Sequence, residues 1–115
     1  MQFYKDSNVY KAVKITGPSH NLLGLIFFED ESQQEVEVIT LPVANTPRID
    51  KNEVRSQVLS GVNEINDKLM SKYQVRQIQF VPSDTPSAEV YKLLTKEIIT
   101  RIHNREGFIT RKLKR

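Results

Sequence analysis

The sequence predicts an α/β domain of the α+β type with the element order β-β-β-α-β-α, and three observations carry that expectation. The chain has 115 residues, 38% of them hydrophobic and 27% charged, which suits one globular core and no more. Its first 41 residues hold short apolar runs bounded by turn residues, whereas Val54–Tyr73 and Tyr91–Ile102 repeat their apolar positions at spacings of three and four. There is no cysteine, which excludes disulfides, thiolate metal sites and thiol chemistry.

Val9, Val13 and Ile15 share one parity and mark the first expected strand, which ends at the turn Gly17-Pro18-Ser19-His20-Asn21. The run Leu22–Phe28 is apolar on both parities and too short for a helix, so it is the expected central strand. Glu29-Asp30-Glu31 and the polar residues after it read as a solvated hairpin tip, leading into a third strand, Glu35–Leu41. Strands one to three are expected to form an antiparallel meander.

Asp50 stands three residues ahead of Glu53 in the spacing of a capping box, so a helix is expected to begin there. Its stripe is Val54, Val58, Val62, Ile65, Leu69 and Tyr73, and Gly61 inside it costs about 1 kcal/mol unless a strand packs close. Val75–Val81 is the fourth expected strand, closed by Pro82. Thr85 as cap and Pro86 at the first helical position predict a second helix, with Tyr91, Leu94, Ile98 and Ile102 as its stripe and its end near Asn104. Glu106-Gly107 stops that helix, and Phe108-Ile109-Thr110 could pair briefly as a strand. The domain is expected to span 1–108, with 109–115 as a basic C-terminal tail.

With the first helix as crossover to a parallel fourth strand, the expected sheet is mixed and four-stranded, ordered 3-2-1-4, with two helices. This order of elements resembles the first part of a ribonuclease-H-like fold. Enzymes of that fold hold magnesium with carboxylates from the first strand, the first helix and the end of the fourth strand, and the resemblance makes Asp84, Glu53 and Glu64 the candidate catalytic positions. The first strand departs from the pattern, offering Lys11, Lys14 and Thr16 where an Asp is required. The residues themselves give a plainer reading, with Asp84 bonding backbone amides at a turn and Glu53 completing a helix cap.

His20 and His103 stand in no metal-ligand spacing, and no motif implies a metal or cofactor. The formal net charge is +3, of which +5 falls on residues 101–115, so the preceding hundred residues carry −2. Arg111, Lys112, Lys114 and Arg115 read as a flexible solubilising tail, with contact to nucleic-acid phosphates or to an acidic protein surface as the alternatives, while the body of the domain is not basic. No apolar run is long enough to span a membrane, and the N-terminus lacks the pattern of a secretory signal, so a cytoplasmic location is expected.

Two helices for two sheet faces leave one face short of cover. The expected function is a non-catalytic module that binds a protein partner or forms a homodimer, with Leu23, Leu25 and Phe27 as candidate contact residues. The alternative is a ribonuclease-H-like nucleic-acid-binding or metal-dependent nuclease-type protein.

Overall fold

An N-terminal hairpin that the periodicity does not announce starts the fold. In the computed structural model, which describes residues 1–29, 35–42 and 46–111, β1 (Gln2–Asp6) runs antiparallel to β2 (Val9–Thr16). Ser7 turns between them with a positive φ of 56°, as tight hairpin loops require. β2 then reverses at Gly17 into β3 (Ser19–Phe27), also antiparallel, with Ala12 opposite Leu23. β4 (Glu37–Thr40), α1 (Lys51–Leu69), β5 (Val75–Phe80), α2 (Val90–His103) and β6 (Ile109–Arg111) follow.

The six strands form one mixed sheet in the order β4-β5-β3-β2-β1-β6. This corrects the expected order 3-2-1-4. The strand after α1 does not join the first expected strand; it inserts between β3 and β4, antiparallel to one and parallel to the other. The reason lies in which edges are free. β1 occupies the outer edge of β2, so β3 offers its Leu23–Phe27 edge to β5, and β4 lies beyond. Neighbouring parallel strands need a long crossover, which α1 supplies between β4 and β5. The meander shared with ribonuclease-H-like folds is therefore interrupted. At the other edge β6 pairs in parallel with β1, so Ile109–Arg111 belong to the sheet, whereas residues 112–115 lie outside the described ones. The acidic stretch at 30–34 also lies outside them.

Both helices pack on the same face. Leu23 and Leu25 of β3, Ala12 of β2, and Ile78 and Phe80 of β5 join Val54, Val58, Tyr91, Leu94 and Ile98 in one core, each fully buried. Each of the larger apolar side chains buried there contributes about 1.5–3 kcal/mol relative to exposure.

Asp50 caps α1 as expected, its carboxylate accepting the N–H of Asn52 (3.0 Å) and Glu53 (3.2 Å). The helix ends earlier than its apolar stripe. Met70 adopts a left-handed conformation (φ 53°), and Asn66 accepts the Tyr73 N–H (3.0 Å) while donating to the Tyr73 carbonyl (2.9 Å). Tyr73 is thus held beside the helix end and not on its face. α2 begins later than Thr85-Pro86 suggests. Ser87 Oγ accepts from Val90 N (3.2 Å), and the Tyr91 N–H is capped from α1 by Gln57 Oε1 (3.0 Å).

Gly61 is explained by close helix packing, with α2 in place of the expected strand. A Cβ at this position would lie 2.9 Å from the Lys92 carbonyl oxygen and 3.1 Å from Thr95 Cβ. Gly61→Ala gains about 1 kcal/mol of helix propensity but must push two backbones apart, a strain of about 1–3 kcal/mol. Urea unfolding is expected to show a net loss of stability on the order of 1 kcal/mol; a raised midpoint would mean that the helices separate without cost.

Candidate functional site

At Phe80 the ladder between β5 and β3 runs out, because the chain leaves at Val81 and Pro82 has no N–H to offer. The next residues take over the pairing with side chains. Asp84 Oδ2 accepts the Leu22 N–H (2.8 Å), Thr85 Oγ1 accepts the His20 N–H (3.2 Å), and the Thr85 N–H returns a bond to the His20 carbonyl (3.2 Å). Asn21 Nδ2 donates to the Thr85 carbonyl (2.7 Å) and to the Tyr91 hydroxyl (3.2 Å), which ties the first turn of α2 into the cluster. Arg48 fixes the other side through the Ser83 carbonyl (3.1 Å from its guanidinium).

Asp84 is only 2% exposed, and His20 Nε2 stands 3.3 Å from its Oδ1. Burial pushes the Asp84 carboxyl above its ordinary range, opposed by the Leu22 N–H and by the charges of His20 and Arg48. Burial likewise lifts the Tyr91 phenol to about 12, against the bond from Asn21. The His20–Asp84 pair supplies two members of a nucleophile–base–acid arrangement, but no described hydroxyl bonds the imidazole. Its geometry is that of a clamp on β3.

The other carboxylates expected beside Asp84 are elsewhere. Glu53 accepts from Gln57 Nε2 (3.4 Å) in the first turns of α1. Glu64 bridges Lys92 and Lys96 across the helix pair, and those lysine bonds hold its carboxyl below the usual range. Among the described residues no group of three or more His, Cys, Asp or Glu is placed to hold a metal ion. His103 is remote from His20; its Nδ1 lies 3.4 Å from the Tyr73 hydroxyl.

The expected contact residues on the central strand require correction. Leu23 and Leu25 are completely buried and Phe27 is half-buried, all packed under the helices. Leu22–Phe28 is apolar on both parities, and the helices chose the odd one. The even positions, Leu22, Gly24 and Ile26, face the other way, in register with Val13, Lys11 and Gln77. No described element covers that face. Ile15 is 67% exposed and Ile109 is 57% exposed there. Its charges are largely satisfied internally: Lys11 Nζ lies 3.0 Å from Asp6 Oδ2, and Gln79, Gln77 and Glu37 form a chain of 2.7 Å bonds. Asp6 Oδ1, by contrast, is buried without a hydrogen-bond partner among the described residues. Arg111 lies in β6 opposite Asp6, while Lys112, Lys114 and Arg115 fall outside the described residues.

No known family, curated protein or solved structure matches this chain.

If Asp84 clamps β3, Asp84→Ala orphans the Leu22 N–H and is expected to cost about 1–3 kcal/mol, whereas Asp84→Asn keeps an acceptor and costs less. The sign of the pH dependence follows from the raised pKa. Protonated Asp84 favours the folded state, so its contribution is complete below the ordinary value of 3.8 and is lost as pH rises through the higher folded value. Denaturation curves across this range should therefore show wild type losing stability relative to Asp84→Asn as pH rises; a constant difference would contradict the assignment.

Proposed function

We propose that the protein is a non-catalytic interaction module that self-associates through the uncovered face of its sheet. The supporting observation is the placement of both helices on one side, which leaves Val9, Val13, Ile15, Leu22 and Ile109 turned toward the other. Six strands spaced about 4.8 Å apart make this face roughly 25 Å across, a width compatible with a standard interface.

A second copy suits the face better than a strongly charged partner. Asp6 and Lys11 neutralise each other and Glu37 is hydrogen-bonded by Gln77, so little charge is left bare to oppose a two-fold contact. Gly24 keeps the middle of the face low. Val9 Cγ1 and Gln79 already close over it, at 3.1 and 3.4 Å from where its Cβ would be. The expected cytoplasmic setting belongs to this reading. Among the described residues no helix is long and apolar enough to cross a membrane.

Light scattering coupled to gel filtration over a concentration series should reveal a dimer. Ile15→Asp, at an exposed position, should raise the dimer dissociation constant at least tenfold while leaving the circular dichroism spectrum and unfolding midpoint nearly unchanged. A wild-type chain that stays monomeric at every concentration, or a dimer indifferent to Ile15→Asp, would overturn the proposal.

A further inference from the structure

At the opposite end of β3 from Asp84, a cleft of about 800 Å³ opens between Lys5, Tyr10, Phe27, Phe28, Tyr73 and Arg76. An irregularity in the sheet builds it. Ile26 pairs with Gln77 but Phe27 pairs with Val75, so Arg76 is the extra residue of a β-bulge. The bulge lets Val75 stay in the core, 3% exposed, while Arg76 stands exposed at the cleft. Without the slip, alternation would have sent one of the two to the wrong side.

The aromatic lining is half-exposed and ordered by edge contacts. Tyr10 meets Phe27 at 5.9 Å between ring centroids, and Phe27 meets Tyr73 at 6.1 Å. Phe28 is half-buried, and among the described residues its ring takes part in none of these contacts. Lys5 Nζ lies 4.9 Å over the Tyr10 ring. An adjoining recess of about 360 Å³ shares Phe28 and Tyr73 and adds Lys72, Gln74 and His103. There Gln74 Oε1 is buried without a partner among the described residues, an amide acceptor whose cost a ligand donor would remove.

Flat apolar rings, flanking cations and an unsatisfied amide acceptor together match one ligand chemistry, an unstacked base carrying phosphates on either side. We propose that this cleft binds single-stranded nucleic acid, with a base on Phe28 and neighbouring phosphates on Lys5 and Arg76. Among the described residues lining the cleft, the cations are Lys5 and Arg76 and the one acid is Glu29. A duplex does not fit the same chemistry, because its bases are already stacked and their Watson–Crick edges paired. The site is separate from the uncovered sheet face and does not depend on self-association.

Fluorescence anisotropy with a short labelled single strand of mixed sequence tests the assignment, with a duplex and a mononucleotide as competitors. The single strand should bind more tightly than the duplex. Phe28→Ala should weaken it about tenfold, the usual worth of one stacked base, and Phe28→Tyr should restore it. Arg76→Gln changes an exposed side chain and should lower the slope of log affinity against log salt by about 0.7. Absence of binding at low salt would overturn the proposal. So would equal affinity for duplex, binding unchanged by both Phe28→Ala and Arg76→Gln, or displacement by the mononucleotide as readily as by the strand.

Discussion

The bond from the Leu22 amide to the buried Asp84 carboxylate is the constraint on which the arrangement of this domain rests. β3 is the central strand and needs a partner along its whole length, yet β5 stops pairing at Leu23 because proline follows. Asp84 and Thr85 extend the ladder by two residues with side-chain acceptors. The same short loop is held from outside by Arg48 and from inside by Asn21, which also reaches Tyr91 in the first turn of α2. A buried carboxylate is expensive, and its raised pKa records that cost. What it secures is the point where the chain leaves the sheet, and hence the side on which α2 lies.

That choice of side determines the rest of the packing. α1 must cross one face to connect β4 with its parallel neighbour β5, and α2 starts against α1 because Gln57 caps its first turn and bonds the Ser87 carbonyl at 2.8 Å. Gly61 then allows the two helices into backbone contact. Helices this close together share one side of the sheet and leave none for the other. The open face is a consequence of the tight helix pair and would persist even if every residue on it were polar.

Periodicity made some of this legible. The stripe of α1, the Asp50 cap, the strand at 75–80 and the central place of Leu22–Phe28 all follow from residue spacing, because local patterns encode local structure. Sheet order did not follow, since β1 hides in Gln2-Phe3-Tyr4-Lys5-Asp6, a segment without strict alternation, and its presence decides which edge β5 can use. The buried parity of β3 was equally unreadable in a run apolar on both sides. Thr85 reads as the helix cap from sequence, but its hydroxyl accepts the His20 N–H instead, and α2 begins only at Val90, whose N–H is accepted by Ser87 Oγ. Asp84 was recognisable as a residue that bonds backbone amides, but its partner lies 62 positions away, beyond the reach of any local pattern.

The aromatic cleft was the least legible feature, and the reason is physical. Its lining comes from β1, β2, the end of β3, the start of β5, the segment after α1 and Ile102 of α2, so no window of sequence contains it. Its one structural signature is the bulge at Arg76, which is an event of pairing between two strands and exists in neither alone. The two ends of β3 thus solve the same problem in different ways. At one end side chains complete the ladder and bury a charge; at the other the ladder slips by a residue and puts a charge outside. A regular ladder at that second end would have aimed Arg76 into the core, where an unpaired guanidinium could not be tolerated. An arginine at this position is therefore compatible with the fold only because the sheet bends around it, and the bend is what opens the cleft.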